Sequence, residues 1–566
     1  MRNSNFKSIT YICLAALLFM GCGLGKMVKK YPDVKYTVTP EVLEVHGGKV
    51  PVTISGSIPP KYFHKKATVT FTPTLKFEGG EVAMKSIKLL GEAAEGEGQK
   101  IGYNTGGSFS YVDTIPYKDA MRKSELMAVV GAVMGSKTAS FDDRKLADGC
   151  IITSTRVAND EDVMLGPDNY EKVSILNQKA ELYYPIQSSV IPSKEMRSES
   201  IKALKEFIKK KYVTKDVTLT AWASPDGPED LNDKISNDRA NSAFRYIKNE
   251  LRRMKLQGAK NDSLYTKVSK GEYWDGFNQL VAASDIEDKQ LILDIVNRHS
   301  DVVKREQEIK NLAVVFLTLA KEILPRLRKA EISINSYEPK RTDAEIDSLA
   351  IANPDTLDVK ELLYAATLTE DADRKMTIYT SATTLFPDDW RGYNNVAYLH
   401  MKKGNMEDAK SWLAKANEKG GSAEVTSNEG VIAVWNMEYD KAKSLFEDSK
   451  SKGGDVSNNL GILHLRIGDY PTALEYFSST CSYNSALTNL VAKNTDKAKT
   501  QCDCAEQNAA TYYLKAIVGA RSGDASMMKD NLKKAVSADG SYRKEAMTDL
   551  EFAKYWDSTD FKGAVQ

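Results

Sequence analysis

The side chains that most often carry catalysis or hold metals are thinly spread through these 566 residues. His46, His64, His299, His400 and His464 fall in different stretches, and none forms the H-E-x-x-H pair that sets two ligands on one helix face. No G-x-S-x-G nucleophile turn and no phosphate-cradling P-loop occurs. Cys502-Asp-Cys504 has the spacing of neither a thioredoxin-like C-x-x-C nor half of a zinc pair, and no histidine lies near it. In an oxidising compartment Cys481 could pair with Cys502 or Cys504; the preferred reading makes all three small residues buried on helices. No acid–base, nucleophilic or metal constellation is written locally. The expectation is therefore a protein without catalysis, cofactor or metal.

The elements that could position a site are better marked. With 78 basic and 77 acidic residues the charges nearly cancel, so no global field draws the chain to nucleic acid. Hydrophobic residues at 42% and charged residues at 27% suit several soluble globular domains. Residues 1–21 have the layout of an export signal: Arg2 and Lys7, the apolar run Ile9–Met20, then Gly21 before Cys22. That run, about 12 residues, is shorter than the roughly 20 needed to span a bilayer. LLFM-Gly21-Cys22 resembles a bacterial lipobox, which implies lipidation of Cys22 and a lipid-held mature chain. A simple secretory signal with an incidental cysteine is the alternative. The stretch GLGKMVKKYPD carries no acidic cluster, which favours an outer-membrane lipoprotein facing the periplasm.

Residues 22–175 read as an immunoglobulin-like, β-sandwich-like region. Val34–Val38, Val50–Gly56 and Ala67–Phe71 alternate apolar and polar residues, with Gly47-Gly48 and Pro59-Pro60 between them. Ala120–Met134 is compatible with a helix, and Ile151–Thr155 with a strand.

Residues 176–340 read as α/β. The strand Lys179–Pro185 precedes a helix with Ser193 as its N-cap and Ile201, Leu204 and Ile208 on one face. The strand Val217–Ala221, the turn Ala223-Ser224-Pro225-Asp226-Gly227, a helix bearing Asn232, Ile235, Ser236, Arg239 and Ala240, and a returning edge strand at Leu327–Ile334 follow. The turn, the Asn232-x-x-Ile235-Ser236-x-x-Arg239-Ala240 spacing and the terminal RKAEI resemble the OmpA-like, peptidoglycan-associating family. The resemblance implies that an Asp before the turn glycine and a helical Arg grip the ammonium and carboxylate of a peptidoglycan diamino acid, the Arg through its planar fork. Arg239 matches the family Arg; Ser224 stands where the family has Asp, and Asp226 lies two residues on. The candidate peptidoglycan-binding residues are therefore Arg239, Asp226, Ser224 and Asn232. The alternative keeps the fold for protein contacts, with Arg239 an ordinary ion-pair partner. About seventy residues between Met254 and the last strand, helical in pattern, form an insertion longer than the family needs.

Residues 345–566 repeat. Ala409, Ala442 and Ala473 recur after 33 and 31 residues, each followed four later by Leu413, Phe446 or Phe477, with Gly404-Asn405 and Gly468-Asp469 at turns. The pattern resembles the tetratricopeptide repeat (TPR), which implies an α-solenoid with a concave groove for an extended peptide or a partner helix. Asn394, Tyr398, Asn458 and Ile462 are the groove candidates. Tyr483–Gln507 is too short for a regular repeat and reads as irregular.

The expected function is a lipid-anchored envelope scaffold binding proteins through its repeats and peptidoglycan through its OmpA-like part. The alternatives are peptidoglycan anchoring as the main role, and an envelope enzyme with an active site gathered from distant residues in 80–175 or in the insertion.

Overall fold

The structure is a computed structural model, and it describes residues 22–298, 301–311 and 313–566. The export-signal reading of 1–21 and the side chain of Cys22 lie outside the described residues. The chain is multidomain, with a sheet-rich N-terminal region and a C-terminal region of helical repeats. It divides into two compact units, one formed by the residues through Pro167 together with Asp371–Gln566, the other by Asp168–Glu370. This departs from the expected run of separate domains at 22–175, 176–340 and 345–566. The sheet region and the repeats belong to one unit, and the residues from 345 to Glu370 go with the second.

In the first unit, eleven strands follow a short helix at Cys22–Lys29: β1 Lys35–Thr39, β2 Val42–Glu44, β3 Lys49–Ile58, β4 Thr68–Phe77, β5 Gly80–Ala83, β6 Ile87–Gly91, β7 Gln99–Ile101, β8 Gly107–Pro116, β9 Ser124–Met134, β10 Lys137–Ser140 and β11 Arg144–Ile151. One sheet has the order β1-β3-β8; the other runs β2-β11-β9-β4-β6-β7, with β10 beside β9 and β5 beside β4. Val52 and Ile54 of β3, Phe109 of β8, Phe71 and Leu75 of β4, and Leu126 of β9 share one core, so the two sheets form a sandwich. The pairs β2–β11 and β6–β7 are parallel, unlike the all-antiparallel immunoglobulin plan. Helix-compatible Ala120–Met134 is instead mostly β9, a central strand between β4 and β11. Ile151 ends β11, and Thr153–Thr155 is a 3₁₀ turn.

Helix Ala372–Leu385 opens the repeats, and hairpins follow at Trp390–Lys402/Met406–Glu418, Ala423–Trp435/Tyr439–Ser451, Ser457–Ile467/Tyr470–Tyr476, Tyr483–Val491/Thr495–Cys504 and Ala509–Ser522/Ala525–Ala538. The periodic alanines Ala409, Ala442 and Ala473 are fully buried where helices touch. The small residues opposite them are as tightly set. A Cβ on Gly430 would fall 2.6 Å from the Phe446 ring, and one on Gly461 would fall 2.7 Å from that of Phe477. Tyr483–Gln507 is a shortened hairpin rather than an irregular stretch, closed by a disulfide between Cys481 and Cys504 with Cα atoms 6.0 Å apart. Of the three cysteines only Cys502 is the small buried residue expected; its burial pushes the thiol up to about 12.

The sandwich packs on the last repeats. Arg156 pairs with Asp549 at 2.8 Å and Glu545 at 2.8 Å, Arg521 bridges Glu551 at 2.6 Å and Glu44 at 3.4 Å, and Thr153 donates to Glu551. At the Gly47 turn the approach is closer than any side chain allows. Its φ is +55°, and a Cβ there would lie 2.2 Å from the Ile467 carbonyl oxygen.

The second unit holds a four-stranded sheet, β12 Ile175–Tyr183, β13 Thr214–Ala223, β14 Tyr265–Glu272 and β15 Lys329–Tyr337, ordered β12-β15-β13-β14. Only β13 and β14 are parallel. Helices Glu199–Lys209 and Glu229–Arg253 bury Ile201, Leu204, Ile208, Ala243, Ile247 and Leu251 against it. Ser198, not Ser193, caps the first of these, accepting from the Ile201 N–H. The insertion, expected to be wholly helical, supplies β14 before its helices at Trp274–Ala282, Lys289–Arg298, Val302–Asn311 and Ala313–Glu322.

Candidate functional site

The first helix of each of four hairpins carries a buried asparagine turned towards residues 156–167: Asn395, Asn428, Asn459 and Asn484, none more than 2% exposed. An amide side chain offers one acceptor and a two-hydrogen donor, which matches the C=O and N–H of one residue in an extended chain. Residues 156–167, outside any helix or strand, supply those groups. Asn484 accepts from the Ala158 N–H at 2.9 Å and donates to its carbonyl at 3.1 Å. Asn459 does the same to Asp162 at 2.6 and 2.9 Å, Asn428 to Met164 at 2.7 and 2.7 Å, and Asn395 to Gly166 at 2.7 and 3.1 Å. All four contacted residues have even numbers, so one edge of the segment faces the repeats, as the two-residue period of extended backbone requires.

Side chains add register. Glu161 is 5% exposed and accepts from Arg466 at 3.1 and 3.3 Å and from the Trp435 indole N–H at 2.9 Å. Val163 and Met164 pack on the core shared by the first three hairpins, and Val157 on that of the later ones. Pro167 ends the contact by accepting from Arg391 at 3.0 Å. Gly166 fits because a Cβ would meet the Trp390 ring at 2.9 Å.

Of the expected groove residues, Asn394 donates to the Met164 carbonyl at 3.0 Å and Asn458 to that of Asp160 at 2.8 Å. Both face the segment, each one residue before the asparagine that holds the N–H and C=O of a single segment residue. Tyr398 is half-buried beneath the Lys402 ammonium, 5.6 Å from its ring centre, and holds no bond to the segment. Ile462 is core: its side chain packs with Ala473 and Leu487 because its helix turns that face towards the next hairpin. The four bidentate asparagines escaped the sequence reading, although each stands two residues before a small one: Asn395-x-Ala397, Asn428-x-Gly430, Asn459-x-Gly461 and Asn484-x-Ala486.

In the second unit Arg239, Asp226, Ser224 and Asn232 do converge, lining one cavity of about 40 Å³. Arg239 is 1% exposed and donates to the Ser188, Trp222 and Pro185 carbonyls at 3.0, 2.9 and 3.3 Å, beneath the Tyr184 ring. Burial pushes its guanidinium down to about 10. Asp226 sits beside Ser224, whose hydroxyl donates to it at 2.6 Å. Arg328 then engages both, reaching Asp226 at 3.1 Å and Ser224 at 3.0 Å. Asn232 donates to the Gly227 carbonyl at 3.0 Å and to Glu272 at 2.8 Å. Ser224 holds the place of the family's Asp without its charge, and Asp226, two residues on, already has Arg328 as its cation.

Elsewhere in the first unit, an open cleft of about 590 Å³ lies beside Phe77, Arg122 and Trp556. Two of its carboxylates, Glu125 and Asp148, each pair with Lys145 at 2.8 Å. Among the described residues no group of histidine, cysteine and carboxylate side chains is placed to hold a metal ion, and no helix is long and apolar enough to cross a membrane.

No family model matches the chain, and no curated protein does. Solved structures of repeat proteins are similar to it. A structure titled as a functional characterisation of Pseudomonas aeruginosa pilF is 15% identical over 39% of this chain and 97% of that one, with a TM-score of 0.28. A tetratricopeptide repeat protein from Parabacteroides merdae is 15% identical over 52% and 100%, with a TM-score of 0.27. YrrB, titled as a TPR protein with an unusual peptide-binding site, is 14% identical over 38% and 100%, with a TM-score of 0.20. At such scores the helical-repeat assignment rests on the hairpins and their packing described above.

Proposed function

We propose that this protein is a non-catalytic, lipid-anchored scaffold of the bacterial envelope whose repeats hold polypeptide. The supporting observation is the row of bidentate asparagines, an arrangement that recognises main chain in extended form and little else. The lipobox-like sequence at Cys22 supports lipid anchoring, and the lack of an acidic cluster in the stretch after it supports a periplasm-facing position on the outer membrane. Photo-crosslinking in cells from exposed repeat positions such as Met437, 76% exposed, followed by identification of the adducts, tests the scaffold. Reproducible envelope-protein adducts support it; a chain that crosslinks to nothing, or whose mature amino end is unacylated, contradicts it.

Peptidoglycan attachment is a second reading, favoured by one observation. Arg239 is a buried cation with no carboxylate at ion-pair distance among the described residues, which suits it to a ligand carboxylate. Against it stand the small cavity and the Arg328–Asp226 pair. Co-sedimentation of the mature chain with purified sacculi decides: retention lost on Arg239→Lys favours attachment, and no retention leaves the unit a protein-contact module.

A further inference from the structure

We infer that residues 157–167 are a built-in occupant which closes the repeat groove to an extended acidic peptide, and that such a peptide binds when the segment leaves. This rests on the reading of the repeats as a polypeptide-holding scaffold and names what the groove takes.

The groove selects for main chain. With the segment in place Asn394, Asn395, Asn428, Asn459 and Asn484 are all at most 2% exposed, so an occupant that covers them without pairing their amides leaves buried polar groups unsatisfied. Whatever replaces the segment must present N–H and C=O groups at every second residue, which an extended chain does and a helix does not. Most of this recognition is indifferent to sequence. Selectivity comes from Glu161, held by Arg466 and Trp435, and from the apolar seats of Val163 and Met164. The ligand is thus an extended peptide with a carboxylate two residues before an apolar pair. The segment is joined to folded structure at both ends, so it competes at an effective concentration of roughly millimolar. A free peptide meets that competitor before it meets the asparagines.

The test uses the full mature chain and a fluorescein-labelled peptide of sequence 156–167, followed by fluorescence anisotropy. In one variant residues 157–166 become an equal-length Gly/Ser stretch. A milder variant, Glu161→Gln, keeps a bond to Trp435 while losing the ion pair. Expected are negligible binding to the wild type, binding at least about 100-fold tighter to the Gly/Ser variant, an intermediate gain for Glu161→Gln, and no binding of a peptide carrying Lys in place of Glu161. Equal binding to all three chains overturns the inference. So does a lack of binding by Glu161→Gln together with a Gly/Ser variant that is folded by circular dichroism yet inert, or that does not fold at all, since the segment is then a permanent staple. Crosslinking to partners on the outer faces of the repeats is unaffected by such a result, so the scaffold reading stands or falls separately.

Discussion

Along the repeats, buried amides are satisfied by a segment with no regular structure of its own, which reaches them from 229 to 326 residues away in sequence. Beside Arg239, buried charges and amides are satisfied by the unit's own sheet ends and loops: three carbonyls for Arg239, Arg328 for Asp226, Glu272 for Asn232. The two arrangements obey the same rule that buried polar groups find partners. They differ in what removal of the partner would leave. Pulling residues 157–167 away would open the asparagine row to water or to another chain, whereas removing Arg328 would take from Asp226 its cation within the pocket itself. A site whose partners can depart as one piece is equipped to bind something else.

The sharpest way to break this comparison is to remove the one charged anchor of the segment. Glu161→Ala leaves the largely buried Arg466 guanidinium with the neutral Asn159 Oδ1 at 2.6 Å in place of a carboxylate, and the Trp435 N–H without its acceptor. The expected loss is about 3–5 kcal/mol, the cost of breaking a buried pair from one side. The denaturant midpoint of the unit containing the repeats measures it. A change under about 0.5 kcal/mol, the range of an ordinary surface substitution, would mean the segment lies only loosely in the groove.

Next in size is the disulfide. Cys481 and Cys504, 23 residues apart, close the short hairpin whose first helix carries Asn484. Cys481→Ser should cost about 3 kcal/mol by the loop it opens. It should also raise amide hydrogen exchange at Ala158, which Asn484 holds, more than at Gly166, which Asn395 holds at the other end. Uniform exchange along the segment would show that the hairpin and the segment are not coupled.

Smaller, and more discriminating, is a pair of neighbours. Asn459→Ala removes two bonds to Asp162 and one to Ser427 from a fully buried site and should cost about 2–3 kcal/mol. Asn458→Ala removes one bond at a half-buried site and should cost about 0.5–1 kcal/mol. Equal effects would erase the distinction between holding a segment residue by both its N–H and its C=O and holding it by one.

That pair also shows how far the sequence could be read. The helical period and the spacing of Ala409, Ala442 and Ala473 suffice to place the hairpins, because inter-helix packing repeats locally. Which asparagine makes the two-bond contact depends on one residue of helical phase, about 100° of rotation, so Asn394 and Asn458 were reached and Asn395 and Asn459 missed. The occupant carries no local mark at all: its partners are hundreds of residues distant, and no periodicity encodes such a pairing. β9 misled for a related reason. SELMAVVGAVM buries one face only, yet it carries Met127, Val129 and Val133 on the other, so its sequence loses the alternation that identifies a strand. In the second unit the spacing from Ser224 to Arg239 sufficed to gather four residues round one cavity. The role of Arg328 was out of reach, since it comes from a strand end more than a hundred residues later.

The smallest effect expected lies on the pocket side and sharpens what self-satisfaction means there. Glu272, which accepts from Asn232, faces Glu306 on the helix Val302–Asn311. Burial and the neighbouring Glu272 carboxyl push Glu306 up to about 7 from its ordinary 4.5, with Lys310 at 3.2 Å opposing the shift. An acid raised on folding keeps a proton that the unfolded chain has already released. Its stabilising contribution is whole below about pH 4.5, declines as the pH rises towards 7, and is gone above that. The unit Asp168–Glu370 should therefore melt roughly a few degrees higher at pH 5 than at pH 8. Glu306→Gln, which keeps a hydrogen-bond donor without a charge, should flatten that slope and raise the melting temperature at pH 8. If the slope survives the substitution, the carboxyl pair is not its source, and the pocket wall is set by Asn232 and Arg328 without help from the insertion.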